Sequence, residues 1–472
     1  MSLQITFFGG VGTVTGANFL LESDKTKILI DCGLLQGTPE SDQINRKPWG
    51  YDVSAVDFLF ITHAHLDHIG RVCKLVRDGF RGVIYSTPET RELANVMLLD
   101  ALKVMDTKSK EIIGGVHGQD PLYEMADFEK AFSLWKTIPY HVETKIGEDF
   151  SVYLKDAGHI LGSSMYEFTY SPRQRLGDEN LGDEKKTKVV FTGDSGNSPA
   201  PLLKDTEKIT DADYLICDSV YGDRNHEPKD ERDARFRQIV TETIQKGGPL
   251  VIPAFSIERT QVILYELNNL IEEGKIPSVP VFLDSPLGLK VTEIYSRDSA
   301  DFNLAVQKEI KSGDNIFNFP KLSITHGSRD SQEIVNTPNP KIIIAGSGMS
   351  SGGRVVWHEM HFLPDPKATI LLMGYQAVGT LGRRIQDKPS QIEIMGSMVP
   401  VRARIEMISG YSSHKDSDGI VAMVSDTAPT LKKVFVVMGE PKASTYLAQR
   451  LREELEVDAI YPERGRVYEL DM

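Results

Sequence analysis

Short β-like runs at Leu3–Phe8, Asn18–Leu21 and Lys27–Ile30 predict three strands, the last ending at Asp31, with the turn-rich Gly9–Gly16 between the first two. A further run, Asp57–Thr62, leads straight into His63-Ala64-His65-Leu66-Asp67-His68. Glu89–Met105 places Leu93, Val96, Met97, Ala101 and Val104 at the spacing of an amphipathic helix. The polar stretch Ser171–Lys188 separates two β-like runs and reads as an exposed hairpin loop. From about residue 222 the pattern becomes an alternation of strands and helices. Asp230–Lys246 predicts a helix stopped by Gly247-Gly248, Leu250–Pro253 a buried strand, Glu258–Glu273 a helix, and Val279–Leu283, Lys341–Ala345 and Thr369–Met373 further strands. This rhythm implies a parallel sheet with crossover helices. A strand at Lys433–Met438 and a helix over Lys442–Glu456, introduced by Pro441, close the pattern.

At 472 residues the chain is too long for one core, which usually stops growing at about 250–300 residues, so two domains are expected. Apolar residues make up 40% and charged residues 25%, which is globular composition. No apolar run approaches the ~18 residues of a membrane span, and the N-terminus lacks the basic and apolar segments of a signal peptide, so a cytoplasmic protein without membrane contact is expected. Cys32, Cys73 and Cys217 are far apart and suggest neither a disulfide framework nor a cysteine zinc site. The net charge of −14 argues against sequence-blind coating of nucleic acid by bulk charge. That excess is uneven: residues 222–405 hold 22 basic and 22 acidic residues, so all of it lies outside them. A neutral central segment can still carry a local anion-binding face.

Candidate chemistry concentrates in five places. His63 and His65, at i and i+2 on an extended loop, point to one side and can reach one metal ion, while Asp67 and His68 turn toward a second position. Imidazole with carboxylate suits zinc. His159, in a glycine-flanked loop after a strand, and Asp194, at another strand end, complete the expected ligands, with Asp194 able to bridge two ions. The run Gly346–Gly353 follows a strand; its backbone N–H groups can approach an anion closely, with Ser347, Gly348, Gly352, Gly353 and Arg354 as candidate contacts. Arg383 and Arg384 form a second basic spot, equally well read as plain surface.

Asp31, the His63/His65/Asp67/His68 set, His159 and Asp194, in that order, resemble the motif set of the metallo-β-lactamase superfamily. Asp218 in Cys217-Asp218-Ser219-Val220-Tyr221-Gly222 and His414 in Ser412-Ser413-His414-Lys415 look like the first two motifs of its β-CASP family of RNA-processing nucleases, and the blocks at 253–259, 284–287, 346–354 and 374–382 look like that family's insert. The resemblance implies an α/β fold: a metallo-β-lactamase αββα sandwich over 1–221 and 406–472, with a β-CASP domain inserted at 222–405. It implies a minimal form, without the KH-like modules of some relatives, and allows a homodimer. It further implies a zinc-dependent ribonuclease, endo- or 5′ exonucleolytic, acting on single-stranded RNA. His414 would be the general acid, Asp218 would hold its ring, Asp67 would serve both metal and catalysis, and Asp31 would hydrogen-bond the ligand loops. One motif departs: Met438 stands where the family has a histidine ligating the second zinc ion, so that site is expected to be weaker. This departure keeps open a catalytically weakened RNA- or partner-binding subunit. A hydrolase of a small phosphodiester or thioester is a further alternative, against which the long insert speaks.

Overall fold

The computed structural model describes residues 2–471 apart from 38–39, 111, 114–115, 118 and 173–185. Most of the loop expected over 171–188 therefore lies outside the described residues; the strand after it begins at Thr187. Among the described residues, two seven-stranded sheets face each other. The first runs Val467–Glu469, Leu3–Phe7, Phe19–Ser23, Lys27–Ile30, Phe58–Phe60, Val83–Ser86 and Trp135–Thr137. The second runs Ala459–Ile460, Lys433–Val437, Tyr214–Asp218, Thr187–Phe191, Ser164–Tyr170, Phe150–Asp156 and Thr144–Ile146.

Strand alternation explains the layers. Ile28 and Ile30 point inward with Phe7, Phe60, Phe168, Ile216 and Phe435 to form the core between the sheets. Their neighbours Leu29 and Leu59 point outward against Val72, Leu75 and Leu98 of covering helices. On the far side Leu215, Cys217, Val434 and Val436 pack under Ile420, Val424 and Leu447. The result is the expected αββα sandwich. The expected helices form with small shifts at their ends: Pro88–Lys110, Lys229–Gln245, Arg259–Glu272 and Pro441–Leu455.

The chain leaves the sandwich after Tyr214–Asp218 and returns in Lys433–Val437, and these two strands are parallel neighbours. Between them lies a six-stranded parallel sheet, ordered Leu322–Ile324, Val281–Asp284, Lys341–Ala345, Pro249–Pro253, Thr369–Met373 and Arg404–Ile408. Its last strand straddles the expected boundary at 405, so the insert's sheet runs on to Ile408. Both faces are covered by helices, hence the unbroken apolar strands such as Lys341–Ala345.

Two strands end earlier than their apolar runs suggest. Phe58–Phe60 stops short of Thr62 because the carboxylate of Asp31, rather than a neighbouring strand, accepts the Thr62 N–H at 2.8 Å. Lys433–Val437 stops because Met438 takes a left-handed conformation, φ 49°.

The glycine loop 346–353 is tied to the insert's interior through Ser350, whose hydroxyl donates to Glu359 on the helix Arg354–Phe362. Burial pushes the Glu359 carboxyl up to about 8, and its Oε2 has no partner among the described residues. Because the folded pKa lies above the unfolded one, this group's contribution to stability is intact only below the ordinary carboxyl range and is lost progressively as pH rises from there through about 8. Glu359→Gln is therefore expected to melt higher than the parent at pH 9, by a smaller margin at pH 6, and nearly equally at pH 4. Parallel falls in thermal midpoint for both proteins would disprove it.

Candidate metal centre and substrate cavity

The ligand loop is held from below by Asp31, which is fully buried and has φ 59°. Its Oδ2 accepts from the Thr62 hydroxyl at 2.8 Å and from His68 Nδ1 at 2.7 Å. The Thr62 oxygen in turn accepts from His63 Nδ1 at 3.0 Å. These bonds assign the proton of both rings to Nδ1 and leave Nε2 of His63 and His68 as lone-pair donors. His159 Nδ1 donates to the Ser413 carbonyl at 3.0 Å, which leaves its Nε2 free in the same sense.

The freed nitrogens converge. His65 Nδ1 lies 3.1 Å from His63 Nε2 and 3.2 Å from His159 Nε2. Asp194 Oδ2 is 3.5 Å from both His63 Nε2 and His159 Nε2, and its Oδ1 is 3.4 Å from His68 Nε2. Asp67 Oδ2 is 3.8 Å from His68 Nε2. Among the described residues these distances define two groups suited to a metal ion, His63/His65/His159/Asp194 and Asp67/His68/Asp194, with all ligand atoms in each within 4.8 Å of one another; Asp194, Asp218 and His414 form a third group by the same measure. Asp194 belongs to all three.

The donor set fits metal ions on two counts. His68 Nε2 and Asp194 Oδ1 are buried and neither has a hydrogen-bond partner among the described residues, a cost that native proteins rarely leave uncompensated. The electrostatics also sort the rings. Burial holds His63 and His159 well below the usual imidazole range and His65 down to about 3, so these are neutral lone-pair donors. At His68 burial opposes a cation, but Asp194 and Asp31 outweigh it and hold the pKa well above the usual range. That position calls for positive charge.

Beside these groups stand Asp218 and His414. Asp218 ends the strand Tyr214–Asp218, fully buried, and its Oδ1 accepts from the Ser195 N–H at 3.1 Å. His414 Nδ1 lies 3.9 Å from Asp218 Oδ2 and 3.8 Å from Asp194 Oδ2, ion-pair distances too long for hydrogen bonds. Burial works to lower the His414 pKa, and Asp218 and Asp194 reverse it. The loop carrying His414 is clamped from several directions. Glu227 accepts from the Gly410 N–H at 2.7 Å, His226 Nε2 donates to the His414 carbonyl at 2.9 Å, and Asn197 Nδ2 donates to the Ser412 carbonyl at 3.1 Å. Thr62, Glu227, His226 and Asn197 were not singled out from the sequence. Thr62 stands next to His63, which was the available signal; the other three gain meaning only through contacts made across the fold.

The metal groups form one wall of a cavity of about 280 Å³. The facing wall comes from the carboxyl ends of the insert's strands: Ser256 and Ile257, Ser347 and Gly348, Gly374 and Tyr375. Open parallel sheets place their ligands at such ends. Ser347 and Gly348 of the expected substrate contacts thus border the cavity, and Gly352, Gly353, Arg354 and Arg383 are not among its lining residues. For Arg354 the reason is plain: its guanidinium is engaged by Asp284 Oδ1 at 2.6 Å and Thr325 Oγ1 at 2.9 Å. Arg383 donates to the Gln376 carbonyl and pairs with Asp387. Met438 is buried in the core between the sheets and borders a small void shared with Asp31, Thr62 and His68.

Comparison with known proteins agrees with this architecture. A metallo-beta-lactamase superfamily domain matches residues 20–175, a Beta-Casp domain residues 260–385, and a Zn-dependent metallo-hydrolase RNA specificity domain residues 398–462. The chain is 33% identical over 449 residues to a ribonuclease from Thermus thermophilus, covering 95% of this chain and 96% of the relative. It is 31% identical to the transcription termination factor FttA of Methanosarcina mazei over 97% of this chain and 70% of that one, and 29% identical to an RNase J-like protein of Methanocaldococcus jannaschii over 98% and 99%. A crystal structure of a protein of unknown function from Enterococcus faecalis shares the fold, with a TM-score of 0.55 at 13% identity over the full length of both chains. A third of the sequence held in common over nearly the whole length, with all three domain types in the order of the fold, makes this chain a member of the β-CASP family of RNA-processing nucleases within the metallo-β-lactamase superfamily.

Proposed function

We propose that the protein is a zinc-dependent ribonuclease that hydrolyses phosphodiesters of single-stranded RNA. The observation that carries this reading is the pair of ligand groups sharing Asp194, set against a cavity walled by an insert of the RNA-processing family. His63, His65, His159 and Asp194 would hold one ion, and Asp67, His68 and Asp194 the other. Zinc in such sites supplies Lewis acidity, acidifying water and neutralising charge on phosphoryl oxygens. The chain's own groups do the rest. Asp67, on the cavity wall, accepts a hydrogen bond from the attacking water. His414 donates a proton to the departing oxygen, and Asp218, 3.9 Å from its Nδ1, favours the protonated ring. A cavity of about 280 Å³ between two modules takes an unpaired strand, since a base buried in a duplex must first be extruded.

The test is a zinc-supplemented assay on 5′-labelled, partly structured RNA with the parent, Asp67→Ala and His414→Ala. Cleavage by the parent and its loss in both variants is the expected result, and the product ladder separates endo- from exonucleolytic cutting. No cleavage, with one zinc equivalent or fewer bound, would overturn the reading.

Met438 favours a second outcome within this reading. It supplies no imidazole to the second group, whose protein ligands are then Asp67, His68 and Asp194. The second ion is therefore expected to be lost first on dialysis, and Met438→His to retain more of it, measured as metal per chain. Equal and tight retention of two ions by the parent would refute this.

A further inference from the structure

Arg259 opens the helix Arg259–Glu272, is 5% exposed, and lines the cavity on the wall facing the metal centre. Among the described residues no carboxylate lies within ion-pair distance of its guanidinium, and Nη1 has no hydrogen-bond partner. Two neighbours in the insert differ in having carboxylate partners: Arg232 pairs with Asp233 and donates to the Gly410 carbonyl, although its Nη2 is unpaired among the described residues, and Arg354 pairs with Asp284. The adjacent Glu258 attracts Arg259 electrostatically without closing an ion pair. Its Oε2 accepts from the Tyr295 hydroxyl at 2.7 Å, and burial pushes its carboxyl up to about 7. Burial lowers the Arg259 pKa to about 10, which leaves it cationic at neutral pH.

A buried guanidinium without a partner destabilises the fold. It persists most simply where an incoming anion completes it. Gly374, φ 97°, lies beside it: a Cβ there would stand 3.5 Å from Nη2 and 3.7 Å from Nη1, in ordinary van der Waals contact with the group. Ser347, Ser412 and His414 line the same cavity.

We infer that Arg259 receives a backbone phosphate of the RNA strand, next to the phosphodiester held at the metal groups, and so sets the register in which the strand is cut. A planar fork of donors suits a phosphodiester's paired oxygens. The inference rests on the ribonuclease reading for the identity of the anion, and not for the existence of an anion site.

The experiment compares full-length parent, Arg259→Met and Arg259→Lys. In chelator and without phosphate, Arg259→Met is expected to melt several degrees above the parent, because an unpaired charge has gone from the interior. Inorganic phosphate should raise the midpoint of the parent and of Arg259→Lys, and leave Arg259→Met unmoved. With zinc and single-stranded RNA, Arg259→Met should raise KM about tenfold or more with a smaller change in kcat. The slope of log kcat/KM against log salt should flatten by about 0.7, the share of one phosphate contact on a single strand. Arg259→Lys should keep the parent's slope while losing the bidentate fit. A lower midpoint for Arg259→Met with an unchanged salt slope would make Arg259 structural and overturn the inference. If the parent cleaves no RNA yet phosphate protects it and not Arg259→Met, the ribonuclease reading falls and the anion site stands.

Discussion

Replacing Asp194 by alanine is expected to strip both metal ions from the protein and abolish RNA cleavage. The argument is one of shared position: its two oxygens face different groups, Oδ2 toward His63 and His159 and Oδ1 toward His68. Losing a single transition-state contact typically costs about 10²–10³-fold in rate. Asp194 belongs to both ligand groups and also raises the His414 pKa, so a loss beyond about 10³-fold is expected here. Removal of Asp67, by contrast, should spare the first group and leave about one ion per chain. Metal content and cleavage rate are read on the same preparations. Two ions retained by Asp194→Ala would break the two-site scheme.

The second large effect is expected far from any ligand atom, at Gly33. The segment 31–34 runs directly beneath the ligand loop, with Cys32 N–H donating to the His68 carbonyl at 2.8 Å and Leu34 N–H to the Leu66 carbonyl at 2.9 Å. A Cβ on Gly33 would stand 1.5 Å from the Asp67 carbonyl oxygen and 2.2 Å from its carbon. Backbone must move, since no side chain is available to rotate away. Overpacking of this kind costs about 1–3 kcal/mol, and displacing reacting groups by about 1 Å can cost 10²-fold in rate. Gly33→Ala is thus expected to fold with a lowered midpoint, to bind metal poorly at Asp67 and His68, and to lose about 10²-fold or more in activity. Parent-like cleavage would show that the two segments separate freely.

The parts of this site that lie close together in sequence were legible in it. His63, His65, Asp67 and His68 sit within six residues, and a strand running into them identifies a rigid support. His159 and Asp194 were recognisable from strand-end, glycine-flanked contexts, and the structure brings both to the same point. Asp31 acts through Thr62, a contact across 31 residues that no local pattern displays. Arg354 shows the converse: an arginine after a glycine run invites a phosphate, and the contact with Asp284, 70 residues earlier, is one no local pattern displays. Arg259 was visible only as part of a motif block, because its meaning lies in what is missing around it, and an absent partner leaves no trace in sequence.

The interruption of the sandwich bears on when the protein becomes competent. Ile216 pairs with Phe435, although about two hundred residues of insert are made between them. Chains emerge from the ribosome N-terminus first, at roughly 5–20 residues per second, so the ligand loops appear many seconds before the strand that completes their sheet. His414 and Lys433–Val437 are translated only after the insert. A nascent chain therefore presents the histidine cluster before the strand that closes the second sheet, and the two halves of the site meet only once the insert has been made.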